Sequence, residues 1–97
     1  MARNFCVLLD YLLENQGMLF VYDNERLLNF WMKNTLIPLD IIFLDKNKII
    51  VNIADAKPCE QDPCELYSSQ LPAMYAIEVN SGFALENNIK IGDSVEF

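Results

Sequence analysis

Between Gly17 and Asp45 the chain carries three apolar runs in quick succession, GMLFVY, NFWM and LDIIFL. Each is too short for a buried helix and too rich in aromatic and branched side chains for a loop, so all three read as strands. Met18 to Tyr22 suits a strand covered on both faces, and Asp23, Asn24 and Glu25 supply a polar break before Asn29 to Met32, which holds the only tryptophan. A gap that short predicts an antiparallel hairpin between the two runs. In extended chain Phe30 and Met32 share one face, Trp31 and Lys33 the other. Pro38 has no N–H to give to a ladder and marks the start of the third strand, Leu39 to Leu44.

Two charges sit inside these runs, Lys33 and Asp40. An isolated ion costs several kcal/mol, on the order of its desolvation, to bury, so each must pair or reach water. Across a turn containing Pro38 they are expected on neighbouring strands and in reach of each other. Two readings stay open: a structural pair or snorkelling edge residues, and a polar spot lining an aromatic cleft with Trp31.

Ahead of this stretch, Phe5, Leu8, Leu9, Leu12 and Leu13 fall on one helical stripe, with Asn4 as N-cap and Gly17 just past the end, predicting a short helix from Phe5 to Leu13. Cys6 on that stripe reads as a small core residue. Beyond it, Asp45 to Lys48 form a polar turn and Ile49 to Ile53 the returning strand of a hairpin. Ala56 to Leu71 reads as a long irregular segment with two cysteines and the acids Glu60, Asp62 and Glu65, a second place to look for function. Met74 to Asn80 resumes a strand with Tyr75, Ile77 and Val79 on one face. Ser81 is the expected cap of a short helix from Gly82 to Asn87, closed by a left-handed Asn88, and Val95 to Phe97 is expected to close the sheet.

The pieces GMLFVY, FWMKNTLIPLDIIFLD, VNIADAKPC and PAMYAIEVNSGFALENNIKIGD, in that order and followed by a terminal VEF, resemble the domain of unknown function 192 family. The resemblance runs from about Glu14 to Phe97 and implies a mainly β fold, a compact antiparallel sandwich or barrel-like domain with one or two short helices. It carries no reaction, cofactor or catalytic residue. Similar chains usually have a strand and a glycine-containing segment ahead of the GMLF piece, where this one has the helical stripe; two readings stay open, an incomplete gene and an exposed sheet edge met by a second copy as a homodimer.

At 97 residues the chain reads as a single domain over 1–97, a helical segment to residue 13 and a β domain from 17. Fourteen acids against seven bases give a net charge of −7, which argues against nucleic acid and anionic membranes as partners. Histidine is absent, which removes Ser-His and Cys-His nucleophiles and histidine-based zinc sites. The first apolar run is broken by Asp10 and is too short for a span or leader, so the expected location is cytoplasmic.

Cys59 and Cys64, in the frame PCEQDPC, match neither a thioredoxin-type pair nor half of a standard zinc knuckle. A disulfide clip and two unpaired thiols both stay open, with the cytoplasm favouring the thiols; no metal and no cofactor is expected. Glu60, Asp62 and Glu65 lack the EF-hand frame and read as a solvated loop. The leading functional reading is a non-catalytic module in which Trp31, Lys33, Asn34 and Asp40 line a groove for a small molecule or peptide. Its rivals are an enzyme using Lys33 with Asp40 or Glu78, and an interaction subunit pairing through a sheet edge.

Overall fold

The computed structural model describes residues 17–97 in full and residues 4–9 by their backbone. Seven strands follow in order: β1 (Asn4–Leu9), β2 (Gly17–Arg26), β3 (Asn29–Trp31), β4 (Leu39–Leu44), β5 (Ile50–Ala56), β6 (Leu66–Ser68) and β7 (Ala73–Asn80). A single turn of helix, α1 (Phe83–Glu86), comes after them. Five strands form an open antiparallel sheet in the order β1-β2-β7-β4-β5, while β3 and β6 pair as a separate two-stranded sheet. The sheets are not closed into a barrel.

Alternation along the central strands divides the core. Leu19, Ile42, Leu44, Ile50, Ile77 and Val79 lie on one face and pack with Phe83 of α1 and with Ile89 and Val95 of the tail. Ile41, Phe43, Ala56, Ala73 and Ala76 lie on the other, beneath Phe30 and Tyr67 of the small sheet. The three alanines have no exposed area, and their small side chains let the second sheet approach. Phe30 then meets Phe20 and Phe43 edge-on, with ring centroids 5.4 and 5.7 Å apart.

Three expectations are corrected. Where a helix was predicted, Asn4–Leu9 runs as a strand, in antiparallel register with β2 from Asn4 opposite Tyr22 to Leu9 opposite Gly17. Pairing with a neighbour overrides a local stripe that Phe5 and four leucines made look helical; the helix's remainder and the core role of Cys6 lie outside the described residues. β1 is therefore one edge of the five-stranded sheet, and β5 is the other.

Secondly, β2 and β3 make no hairpin. β2 pairs with β7, and the chain crosses over at Leu28, whose N–H donates to Ser69 Oγ at 3.0 Å and whose carbonyl accepts from the Ser69 N–H at 2.9 Å. The Ser69 hydroxyl in turn donates to the Leu71 carbonyl at 2.7 Å, so this fully buried serine is satisfied while locking two crossovers together. Thirdly, Val95 to Phe97 forms no strand: the tail is tied to the start of β5 by a bridge between Ile49 and Ser94, by the Ile50 N–H on the Asp93 carbonyl at 2.9 Å and the Gly92 N–H on the Ile50 carbonyl at 2.8 Å, and by the Val95 N–H on the Lys48 carbonyl at 3.0 Å.

Other readings of the elements match, whereas the segment Ala56 to Leu71, expected to be irregular, contains β6. β4 and β5 form the expected hairpin, with Asp45 Oδ1 accepting from the N–H groups of Asn47 and Ile49 at 2.8 and 3.0 Å. Tyr75, Ile77 and Val79 share the α1 face, and Asn88 is left-handed at φ 56°.

Candidate functional site

The small sheet has an inner and an outer side. Phe30 stands opposite Tyr67 and faces the core, which by alternation turns the next pair, Trp31 opposite Leu66, outward. Both remain open to water, at 57% and 59% exposure. Next to them Met32 is buried and forms part of the wall of a cleft of about 410 Å³ with Lys57, Pro58, Cys59, Pro63 and Tyr67. Tyr67 fixes the cleft's far side, its hydroxyl accepting from the Lys57 N–H at 3.1 Å.

After Trp31 the chain turns sharply: the Thr35 N–H donates to the Met32 carbonyl at 3.0 Å, with Asn34 at φ 65°. Asparagine tolerates that left-handed position, so Asn34 shapes the turn. The turn aims Lys33 back across the indole, its Nζ 5.5 Å from the ring centroid, and onto Asp62 at 3.6 Å. Both charges are well exposed, so the pair contributes little stability, about 0–1 kcal/mol. Asp62 sits in the loop closed by a disulfide between Cys59 and Cys64, whose Cα atoms are 5.5 Å apart.

Asp40 is elsewhere, and the expected Lys33–Asp40 pairing is not formed. On β4 it shares a face with Ile42 and Leu44 and looks towards α1, where its Oδ2 accepts from the Ala84 N–H at 3.0 Å. It is 6% exposed and caps the helix from across the fold, a part expected of Ser81. Gly82 holds the N-cap position without any side-chain bond, and the Ser81 N–H goes to the Pro38 carbonyl at 3.3 Å.

Glu78 lies on the opposite face. Its cross-strand partners are Met18 and Ile41, whereas Asp40 stands opposite Val79, so adjacent register positions send the two carboxylates to opposite sides of the sheet. Asp40 and Glu78 therefore cannot share a cleft as an acid and base pair, and neither meets Lys33. Burial pushes the Glu78 carboxyl above its ordinary 4.5. The Tyr22 phenol is also raised, mainly by burial, against the lowering effect of Arg26, whose guanidinium lies 5.1 Å over its ring.

Of the four groove residues read from sequence, the structure thus brings Trp31, Lys33 and Asn34 together and separates Asp40. Sequence reasoning missed Leu66, Tyr67 and the pairing of Asp62 with Lys33. A three-residue strand inside a segment with two prolines and two cysteines leaves no periodic signal, although Leu66-Tyr67 was the one adjacent apolar pair in that loop before Leu71.

No curated protein matches the chain at a significant level. Among solved structures, it is similar to a Sinorhizobium meliloti 1021 protein named as a candidate transcription regulator, with 33% identity, a TM-score of 0.75, and coverage of 82% of this chain and 60% of that one. A protein of unknown function from Novosphingobium aromaticivorans DSM 12444 is similar at 38% identity and a TM-score of 0.75, over 84% of this chain and 56% of that one. The chain thus spans well under two thirds of either relative. The family profile DUF192, described as an uncharacterized ACR, matches residues 8–97. With an open antiparallel β fold shared with both solved relatives and a match over nearly its whole length, the chain belongs to the DUF192 family.

Proposed function

We propose that the outer face of the small sheet, together with the cleft at its end, binds an extended apolar peptide segment. The observation that carries this reading is the side-by-side exposure of Trp31 and Leu66 on a sheet whose inner side is anchored by Phe30 and Tyr67. Rigid aromatic area beside a few polar groups is the usual make-up of a recognition surface. Lys33, held over the indole, and Asn34, fixing the turn, set the polar end of the site; Asp40 serves the helix instead. Direct DNA contact, which the name of the Sinorhizobium protein would suggest, sits poorly with seven bases against fourteen acids.

The test is Trp31 emission against a peptide panel with apolar residues at alternate positions and scrambled controls. A saturable blue shift is expected, lost in Leu66→Ser. Emission that stays at the wavelength of a water-exposed indole throughout the panel would sink the reading. A cytoplasmic location belongs to the same reading, and the bridge supplies its check, since a reducing cytoplasm keeps such cysteines as thiols. Trapping with an alkylating reagent at lysis should then label Cys59 and Cys64; a fully formed bridge would place the protein in an oxidising compartment. No helix among the described residues is long and apolar enough to cross a membrane.

A further inference from the structure

The loop between Pro58 and Glu65 gathers more chemistry than the peptide reading uses. One ligand atom each of Cys59, Asp62 and Cys64 lies within 4.8 Å of the other two. The start of the loop is tied down: Cys59 packs against the aromatic core layer, and the neighbouring Lys57 N–H donates at 3.1 Å to the hydroxyl of Tyr67, which follows the loop's other end by two residues. Opening the sulfur bridge therefore leaves two thiols and a carboxylate confined to one place. Two thiolates bound tetrahedrally at about 2.3 Å from a zinc ion stand about 3.8 Å apart, so the sulfurs, bonded to each other in the bridge, must part before they can share an ion.

We propose that the reduced loop is a site for a soft divalent cation, zinc foremost, with the thiolates of Cys59 and Cys64 and the carboxylate of Asp62 as ligands and water in the fourth position. The chemistry balances in two steps. A dithiol reductant passes two electrons and two protons to the bridge, giving two thiols and its own cyclic disulfide. The cation then forms two sulfur bonds and releases the two thiol protons. A thiol–disulfide exchange catalyst is the competing use of the same pair. Glu60, Asp62 and Glu65 make that the poorer match, because their negative field disfavours a free thiolate nucleophile yet attracts a cation. Binding also takes Asp62 away from Lys33, now 3.6 Å off, so the cation position is felt at Trp31 through the ammonium 5.5 Å from its ring.

Anaerobic titration of the reduced full chain with Co²⁺ tests this directly. One cobalt per chain is expected, with thiolate-to-cobalt charge-transfer absorption in the near ultraviolet, displaced by one equivalent of zinc and accompanied by a change in Trp31 emission. The oxidised chain should give no such band. Cys59→Ser and Cys64→Ser should each abolish it, Cys6→Ser should keep it, and Asp62→Asn should weaken binding by at least about ten-fold. Trp31→Ala should bind cobalt as the natural chain does, which separates this site from the peptide reading. The proposal is overturned if reduced chain that keeps its far-ultraviolet circular dichroism shows no charge-transfer band, if the band survives Cys59→Ser, or if reduction alone unfolds the chain.

Discussion

The two faces of the central sheet solve the same covering problem with different materials. One is aliphatic, from Leu19 to Val79, and is sealed by a single helical turn held down by one buried carboxylate. The other is aromatic over alanines and is sealed by a second sheet, which itself has a free outer side. A helical turn used as a lid presents little new surface, whereas a sheet used as a lid presents a second face with its own side chains. Recognition is therefore expected on the small-sheet side, and Asp40 on the other side is a fastening.

The largest expected effect tests the aromatic layer. Phe43 has no exposed area and meets Phe30 edge-on at 5.7 Å, so Phe43→Ala should cost about 3–5 kcal/mol, read as a drop in the urea midpoint. A loss under about 1 kcal/mol would mean that the small sheet is not seated as a layer.

On the aliphatic face, Asp40→Ala leaves the Ala84 N–H without its acceptor, and a loss of about 1–3 kcal/mol is expected. The same variant should leave Trp31 emission unchanged, because the carboxylate and the indole are on opposite sides of the central sheet. A shift in Trp31 emission equal to that of a Lys33 variant would break the division of the two faces.

These two charges also mark the limit of what the sequence discloses. Alternation within a strand is local, so the faces of Tyr75, Ile77 and Val79, and of Trp31 against Phe30, follow from the chain alone. Pairing is not local. Asp40 in LDIIFL looks like a stranded ion until a helix more than forty residues later brings it an N–H, and Lys33 finds Asp62 only because the loop closes back on the small sheet. The crossover through Leu28 and Ser69 was hidden for the same reason: a serine's partner forty-one positions away leaves no periodic trace. Resemblance to a family supplied the β class, but not the order in which the strands lie.

A smaller effect belongs to Glu78 on the aromatic face. Its carboxyl is raised by burial, so the folded chain holds that proton more tightly than the unfolded one. The group's stabilising contribution is complete below the ordinary value of 4.5 and is lost as pH rises through the raised value. Glu78→Gln removes the ionisation, so the variant should gain on the natural chain between pH 4 and pH 7, with urea midpoints diverging in that direction. Divergence the other way would show that the ionised carboxylate is held by a favourable partner.

The smallest stability effect is the sharpest test of the comparison, because it contrasts neighbours in one strand. Phe30 touches two rings of the core, at 5.4 and 5.7 Å, while Trp31 is 57% exposed and opposite an equally open Leu66. Phe30→Ala should cost several kcal/mol, about 3 or more, whereas Trp31→Ala should stay within about 0.5 kcal/mol of the natural chain. Natural selection for folding alone has no use for an indole at that position, so a chain that folds equally well without it but loses peptide-induced emission changes at a reporter on Leu66 would assign the side chain to recognition. Equal losses from both substitutions would instead make the outer face a hidden part of the core, and the small sheet would become a lid of the same kind as α1.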